Sequence, residues 1–433
     1  MNFKTRWAAG SALQIAWIVL GFICLAVSLS PVIDGDGMAR YTDLLNLVKG
    51  EKPIDKFSSI QIVLAIPLYR LGRLFGAAQE WVGYFNFIVF SLSMGSLWLL
   101  LPRDKRFPVI VLLMAASMIP HHLRYFYGEI LSVCATTVGL LCLVRGRLII
   151  AGVLLGIGTA QTPAIMPALG LALLYMAITR RNIFYGLYLA VPILITLGDN
   201  WFKYGTPLFS AYLQAGEHGA KTVMPYSGLP GFSYPLAFGL LSVFLSFGKG
   251  LVFFAPGLLF RWNLNRCPEH DRDFAGTLDL LLVFLLGLIF TYSRWWGWYG
   301  GQFWGPRYLL FASIPACFIL AYEWPRTHWP LARLIAYCVA LAFSGWVCIQ
   351  GYLYGNSSLA ICGENKSALE LLCWYVPEFS PLFRQFVVGF QNDHPIRLVY
   401  AGWCAITVMG LIAGLILRRK TTVPSTEGLR RGR

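Results

Sequence analysis

Residues Ile60 to Gly76 read IQIVLAIPLYRLGRLFG, and the reading of this one segment sets the topology of the whole chain. The segment is apolar, yet it carries Arg70, Arg73 and Pro67. If it crossed a bilayer, the following span would turn over, and Arg103, Lys105 and Arg106 would lie outside with every later basic loop inverted. Laid in the interface as an amphipathic helix, it leaves those loops in the cytoplasm, where membrane proteins concentrate lysine and arginine. We adopt the flat placement.

The rest of the chain has the composition of a membrane protein. Of its 433 residues 57% are hydrophobic and only 13% charged, with 30 Phe and 15 Trp. A soluble domain has about a quarter of its residues charged, so an ordinary water-soluble enzyme and a disordered tail are both excluded. A helix needs about 20 largely apolar residues to cross the hydrocarbon, fewer where protein or interface helps. Twelve stretches qualify: 9 to 30, 82 to 101, 108 to 120, 128 to 144, 148 to 160, 162 to 178, 183 to 198, 250 to 260, 275 to 293, 307 to 322, 332 to 352 and 396 to 417. The expected fold is therefore all-α and polytopic, with a single transmembrane domain over 1–417 and a basic cytoplasmic tail over 418–433. The first stretch follows Lys4 and Arg6 and reads as a signal anchor with a cytoplasmic N-terminus. A cleaved signal peptide ending near Ala26-Val27-Ser28 is the alternative, disfavoured by the length of the apolar run.

The formal charge is +15, from 35 Lys and Arg against 20 Asp and Glu. In a soluble chain that excess would suggest nucleic acid. With the flat placement it collects in the short inner loops and tail, about +13 there against about +2 outside, the usual mark of a cytoplasmic side. The charge is an orientation signal, and no nucleic-acid partner is implied. Length is distributed the other way: the long outer segments are 31–81, 199–249 and 353–395. Long loops in compact proteins usually carry function, so the chemistry is expected outside.

Of the ten cysteines, none forms a CxxC pair, and most sit singly in apolar spans. Cys362 and Cys373 are the only two in one outer loop, which makes them the disulfide candidate, with two unpaired buried thiols as the alternative.

Four outer features bear on chemistry. The first loop opens Ile33-Asp34-Gly35-Asp36-Gly37-Met38-Ala39-Arg40-Tyr41. Two carboxylates flanking glycine can take a proton from an acceptor or hold a divalent cation; the bland reading is a turn with N-cap aspartates for a helix Met38 to Lys49. Next, Ser246-Phe247-Gly248-Lys249-Gly250-Leu251 sets a lysine between glycines, either a phosphate seat or a snorkelling side chain. Third, Ser293 to Tyr308 reads SRWWGWYGGQFWGPRY. Its Trp295, Trp296, Trp298, Tyr299, Trp304 and Tyr308 can stack on sugars, and Arg294 and Arg307 can grip phosphate. An interfacial aromatic belt would explain the rings but not the glycines or the arginines. Fourth and weakest, Asn200-Trp201-Phe202-Lys203-Tyr204-Gly205-Thr206-Pro207, ahead of Tyr212 and Gln214, could bind polar substrate groups. His121-His122-Leu123-Arg124 looks like a metal or phosphate site, but adjacent histidines are poorly placed to share a metal, which favours interface anchoring.

Taken together, these motifs resemble the C-type glycosyltransferases, the polytopic superfamily that includes protein mannosyltransferases and aminoarabinose lipid A transferases. The resemblance runs through the first-loop aspartates, Asp55-Lys56-Phe57-Ser58-Ser59, the Pro67-Leu68-Tyr69-Arg70-Leu71-Gly72 stretch similar to the family's interfacial helix, Asn200 to Pro207, Phe247 to Leu251, and Gly305-Pro306-Arg307-Tyr308. It implies a polyprenyl-phosphate-linked sugar donor, hexosyl or pentosyl, a catalytic carboxylate in the first outer loop, and inversion at the anomeric carbon. The family aspartate is matched to Asp36, with Asp34 assisting. Lys249 and Arg307, with Arg294, Lys56 and Arg124, would bear the donor phosphate, while Asn200 and the aromatics would meet sugar or acceptor. A divalent cation at Asp34 and Asp36 is allowed but not required. The acceptor is an envelope lipid, glycan or protein.

Two other readings differ in class. A transporter or flippase would place ionisable groups near the midplane, often in repeated halves, whereas here Asp279 and Arg333 lie near inner ends and no motif recurs. An envelope polymerase or ligase would move a whole oligosaccharide; the early carboxylate loop and flat helix favour transfer of one sugar.

Overall fold

The computed structural model describes residues 3–208, 222–224, 227, 231–260, 272–324, 329–355, 359–390 and 394–422. Tyr212 and Gln214, most of the inner loop expected at Arg261 to Arg272, Arg326 and the tail beyond 422 lie outside them.

The described chain is helical, with a single isolated bridge between Val32 and Tyr125. Among the described residues six helices are long and apolar enough to cross a membrane: Ala78–Leu100, Pro163–Arg180, Ile183–Tyr204, Asp273–Arg294, Leu331–Tyr354 and Arg397–Leu417. Shorter apolar helices add Ala12–Ser28, Glu129–Val144, Leu148–Gln161 and Leu236–Leu245. This is fewer than the twelve continuous spans expected. The stretch 250–260 breaks into Leu251–Phe254 and Pro256–Phe260, because Pro256 brings no N–H and disfavours helical geometry at Ala255. The stretch 307–322 begins as a 3-10 turn over Arg307–Ala312 before the helix Ser313–Glu323. One helix was not anticipated: LAFGLLSVFL over Leu236–Leu245 lies inside the expected outer segment 199–249.

Helices that are apolar all round go to the centre. In Glu129–Val144 and Ser313–Glu323 nearly every residue is buried. Ile183–Tyr204 instead keeps Ile183, Leu187 and Leu194 exposed, a face suited to lipid. Glu129–Val144 and Leu148–Gln161 form a tight pair, in which a Cβ on Gly158 would come within 2.6 Å of Thr136 Oγ1. Small residues allow that approach where no hydrophobic effect drives helices together in lipid.

The segment that opened the reading is a helix, Ile60–Leu74, with Pro67 inside it. Its buried face is Gln61, Ile62, Ala65 and Gly72, while Arg70 and Arg73 are exposed. It packs on Gly35–Val48 and on Ala78–Gly83, joining a small apolar cluster of Tyr41, Leu44, Ile62, Ala65 and Val82 beside the main core. That cluster fixes the first loop against the site.

Candidate active site

Asp34 takes the N-cap position of the helix Gly35–Val48, and Gly35 turns the chain into it with φ +44. The bland expectation for Asp34 was a capping carboxylate. Its side chain makes no cap bond; it accepts a hydrogen bond from Tyr127 Oη at 2.8 Å. Asp36, in the first helical turn, points to Arg307, with Oδ2 at 2.8 Å from Nη1. The same Nη1 lies 3.6 Å from Glu129 Oε1. One buried guanidinium thus stands between two carboxylates that sequence places far apart. The Phe303 ring covers it at 3.9 Å.

Neither Tyr127 nor Glu129 was singled out from sequence, although a lone carboxylate at the start of an apolar span is a functional signal. Their turn is held by buried amides: Asn86 Nδ2 donates to the carbonyl of Tyr127, and so does Gln61 Nε2, while Gln161 Oε1 accepts from Gln61 N–H. Val32 N–H donates to the Arg124 carbonyl and ties the first loop to the same turn. Burial and the Asp34 carboxylate push the Tyr127 phenol far up, so it remains a donor.

Lys249 was expected at the donor phosphate, and the structure gives its ammonium other partners. Nζ donates to the carbonyls of Gly301 at 3.1 Å, Gly305 at 3.0 Å and Phe303. It also lies 4.2 Å from the centre of the Trp374 ring. All three N–H groups are used and the side chain is 1% exposed, so here Lys249 clamps the loop that delivers Arg307. Burial and the Arg307 charge push Lys249 down, and the Glu370 carboxylate opposes them. Glu370, also unforeseen, is itself pushed up by burial and accepts from Trp374 Nε1.

The remaining candidates divide. Arg124 is buried behind the site; its Nε reaches the Ser30 carbonyl at 3.5 Å and its Nη1 has no hydrogen-bond partner. Lys56 is exposed, 5.6 Å from the Phe57 ring, whose other neighbour is Arg40 at 4.1 Å. Arg294 is exposed and donates to the Phe232 carbonyl, apart from the cluster. Asn200 donates to Pro207 within its own turn, and its neighbours Lys203 and Tyr204 hold the Asp55 carbonyl, so this segment supports the turn around Lys56. Trp295 packs on Phe232 and Trp296, whereas Trp298 and Tyr299 pack on Tyr375 and Trp374. Trp304 and Tyr308 of the aromatic set line cavities at the carboxylates.

Two cavities open at these residues. One, of about 160 Å³, contains Asp34, His122, Tyr125, Gln302 and Trp304. The other is a narrow slot with Glu129 and Arg307 beside Ile165, Phe284, Leu288, Tyr292, Tyr308 and Phe311. As to a divalent cation, Asp34 and Asp36 turn to a tyrosine and an arginine respectively. Among the described residues no group of three His, Cys, Asp or Glu side chains is placed to hold a metal ion. Cys362 and Cys373 are joined in a disulfide, Cα to Cα 6.1 Å, which closes the loop ahead of Trp374.

His122 yields a prediction. Burial, with help from Arg307 and Lys249, pushes it down to about 3. Because the unfolded chain takes up this proton first, native stability is full above pH 6.5 and falls as the pH drops toward 3. At pH 4.5 the loss is about 2–3 kcal/mol. Thermal unfolding in detergent between pH 7 and 4.5 should therefore be steeper for the wild type than for His122→Gln. Equal slopes would remove His122 from the account.

Among solved structures, the crystal structure of ArnT from Cupriavidus metallidurans bound to undecaprenyl phosphate is similar over 96% of this chain and 78% of that one. The TM-score is 0.50 and the identity 15%, so the likeness is one of fold. No family profile and no curated protein matches the sequence.

Proposed function

We propose that the protein is an inverting glycosyltransferase that moves one sugar from a polyprenyl-phosphate donor to an envelope lipid, glycan or protein. The observation that carries this reading is the Asp36–Arg307–Glu129 bridge at the head of an apolar slot. The slot's free volume of about 20 Å³ holds roughly one water, so an isoprenoid tail would enter only where the Ile165, Phe284 and Phe311 walls part, with its phosphate meeting Arg307 at the polar end. The ArnT likeness supports the same donor class, since that protein is seen with undecaprenyl phosphate. The basic loops favour cytoplasmic termini and a site on the outer face.

In the proposed step an acceptor hydroxyl or amine attacks C1 of the sugar, and the bond from C1 to the phosphate oxygen breaks. Its electron pair leaves with the polyprenyl phosphate. Asp36 takes the acceptor's proton, and Arg307 exchanges a carboxylate for the phosphate and stabilises the charge gathering there. The cavity at Asp34, with Trp304 as an aromatic wall, would seat the sugar or the acceptor.

The test is release of undecaprenyl phosphate, followed by mass spectrometry, from undecaprenyl-phosphate hexose and pentose given to the purified protein with envelope extract. Transfer should occur with one of them, and Arg307→Lys should lower it by about a hundredfold, because an ammonium cannot span the same partners. Absence of release with every donor, or a wild-type rate in Arg307→Lys, rejects the reading. Comparing envelope glycans and lipids with and without the active protein then identifies the acceptor.

A further inference from the structure

A second polar cavity lies at the opposite end of the bundle from Asp36. Glu129 begins its helix at the site and Arg145 follows the last residue of that helix, so 16 residues, about 24 Å of rise, separate the two ends. The cavity there, of about 550 Å³, is lined by Arg103, Arg106, Arg145 and Arg147 with Asp273 and the apolar edge Leu99 to Leu101. Arg145 lies 3.5 Å from Asp273, and Arg106 Nε donates to the Leu101 carbonyl at 2.9 Å. Among the described residues four guanidinium groups face one carboxylate. An orientation signal requires positive charge in the loop, but it does not require two separate turns to bring their arginines around one hollow.

The surroundings indicate what fills it. Leu99 is 70% exposed and Ile149, two residues beyond Arg147, is 85% exposed. Both belong to apolar helices that run away from the hollow along the bundle. A ligand with phosphates at the arginines and hydrocarbon along these helices satisfies both halves. We propose that this cavity binds the headgroup of an acidic phospholipid with two phosphates, of the cardiolipin type, in the leaflet opposite the active site. Two arginines from each turn match two phosphates, and the hollow is larger than a single phosphate needs. The proposal is independent of the reaction assigned to the Asp36 site.

Native mass spectrometry of the detergent-purified protein tests it, with tetraoleoyl cardiolipin, phosphatidylglycerol, phosphatidylcholine or inorganic pyrophosphate added in turn. Cardiolipin should bind best and raise the thermal midpoint. The double variant Arg145→Gln with Arg147→Gln should bind it about thirtyfold more weakly, the effect of losing two guanidinium contacts at a membrane surface. The pair Arg180→Gln with Arg181→Gln, at another basic turn, should bind as the wild type does. If the first double variant does not fold, Asp273→Asn serves instead: it removes the one carboxylate and should tighten binding. Equal cardiolipin binding in the wild type and the Arg145 and Arg147 variant, an equal loss in the Arg180 and Arg181 variant, or no tightening in Asp273→Asn overturns the site. Displacement of cardiolipin by pyrophosphate at equal concentration overturns the lipid as its occupant.

Discussion

Asp36→Asn should lower sugar transfer about a thousandfold while leaving the protein folded and able to bind its donor. The size follows from losing a positioned proton acceptor, which is typically worth 10²- to 10⁴-fold. Asparagine has the shape of aspartate, and the helix Gly35–Val48 gains its packing from Tyr41, Asp43 and Leu44, so the fold has little reason to move. Arg307 keeps Glu129 as a partner at 3.6 Å. With one negative charge fewer beside it, the donor phosphate should bind at least as tightly as before. Binding of labelled donor to purified protein, measured beside turnover, separates the two effects. A wild-type rate in Asp36→Asn removes Asp36 as the base. If Glu129→Gln is then the inactive variant, the proton passes to the second carboxylate of the bridge.

Why Asp36 was visible in the sequence and Glu129 was not is a matter of range. Asp34 and Asp36 stand in a short glycine-rich run just after an apolar span, where the local pattern itself demands an explanation. The helix Ile60–Leu74 was legible for a similar reason: its apolar run is interrupted by Arg70 and Arg73, and both are exposed in the structure. Glu129 is one carboxylate at the head of a span, and its meaning appears only when Arg307 arrives from the far side of the chain. The same holds for Glu370, which takes its importance from Trp374 and Tyr299. The aromatic run Trp295 to Tyr308 promised a sugar platform from composition alone. Packing assigns Trp298 and Tyr299 to the support of the 370–375 segment and leaves Trp304 and Tyr308 at the cavities. The break at Pro256 could have been read directly, since proline after an apolar run of five residues argues against a continuous span.

Lys249→Ala should be the most damaging single substitution at the site, through the loop rather than through the phosphate. The loop it clamps turns on Gly300, Gly301 and Gly305, all with φ near +70, a backbone that needs holding because glycine gives up the most freedom when fixed. Removing the ammonium takes a charged donor from the carbonyls of Gly301, Phe303 and Gly305, of which Gly301 and Gly305 keep the N–H of Phe303 and of Arg307, and takes a cation from the Trp374 ring. Breaking such a buried charged contact costs about 3–5 kcal/mol, which for a chain of this size lowers the thermal midpoint by about 3–6 °C. Arg307 follows Gly305 and Pro306 directly, so transfer should fall with the loop. Thermal unfolding and donor binding, measured on the same preparation, distinguish this from the phosphate seat expected of a lysine between two glycines. A loop clamp predicts a large loss of stability together with loss of turnover. An unchanged midpoint with donor affinity alone reduced would return Lys249 to the phosphate and overturn the clamp.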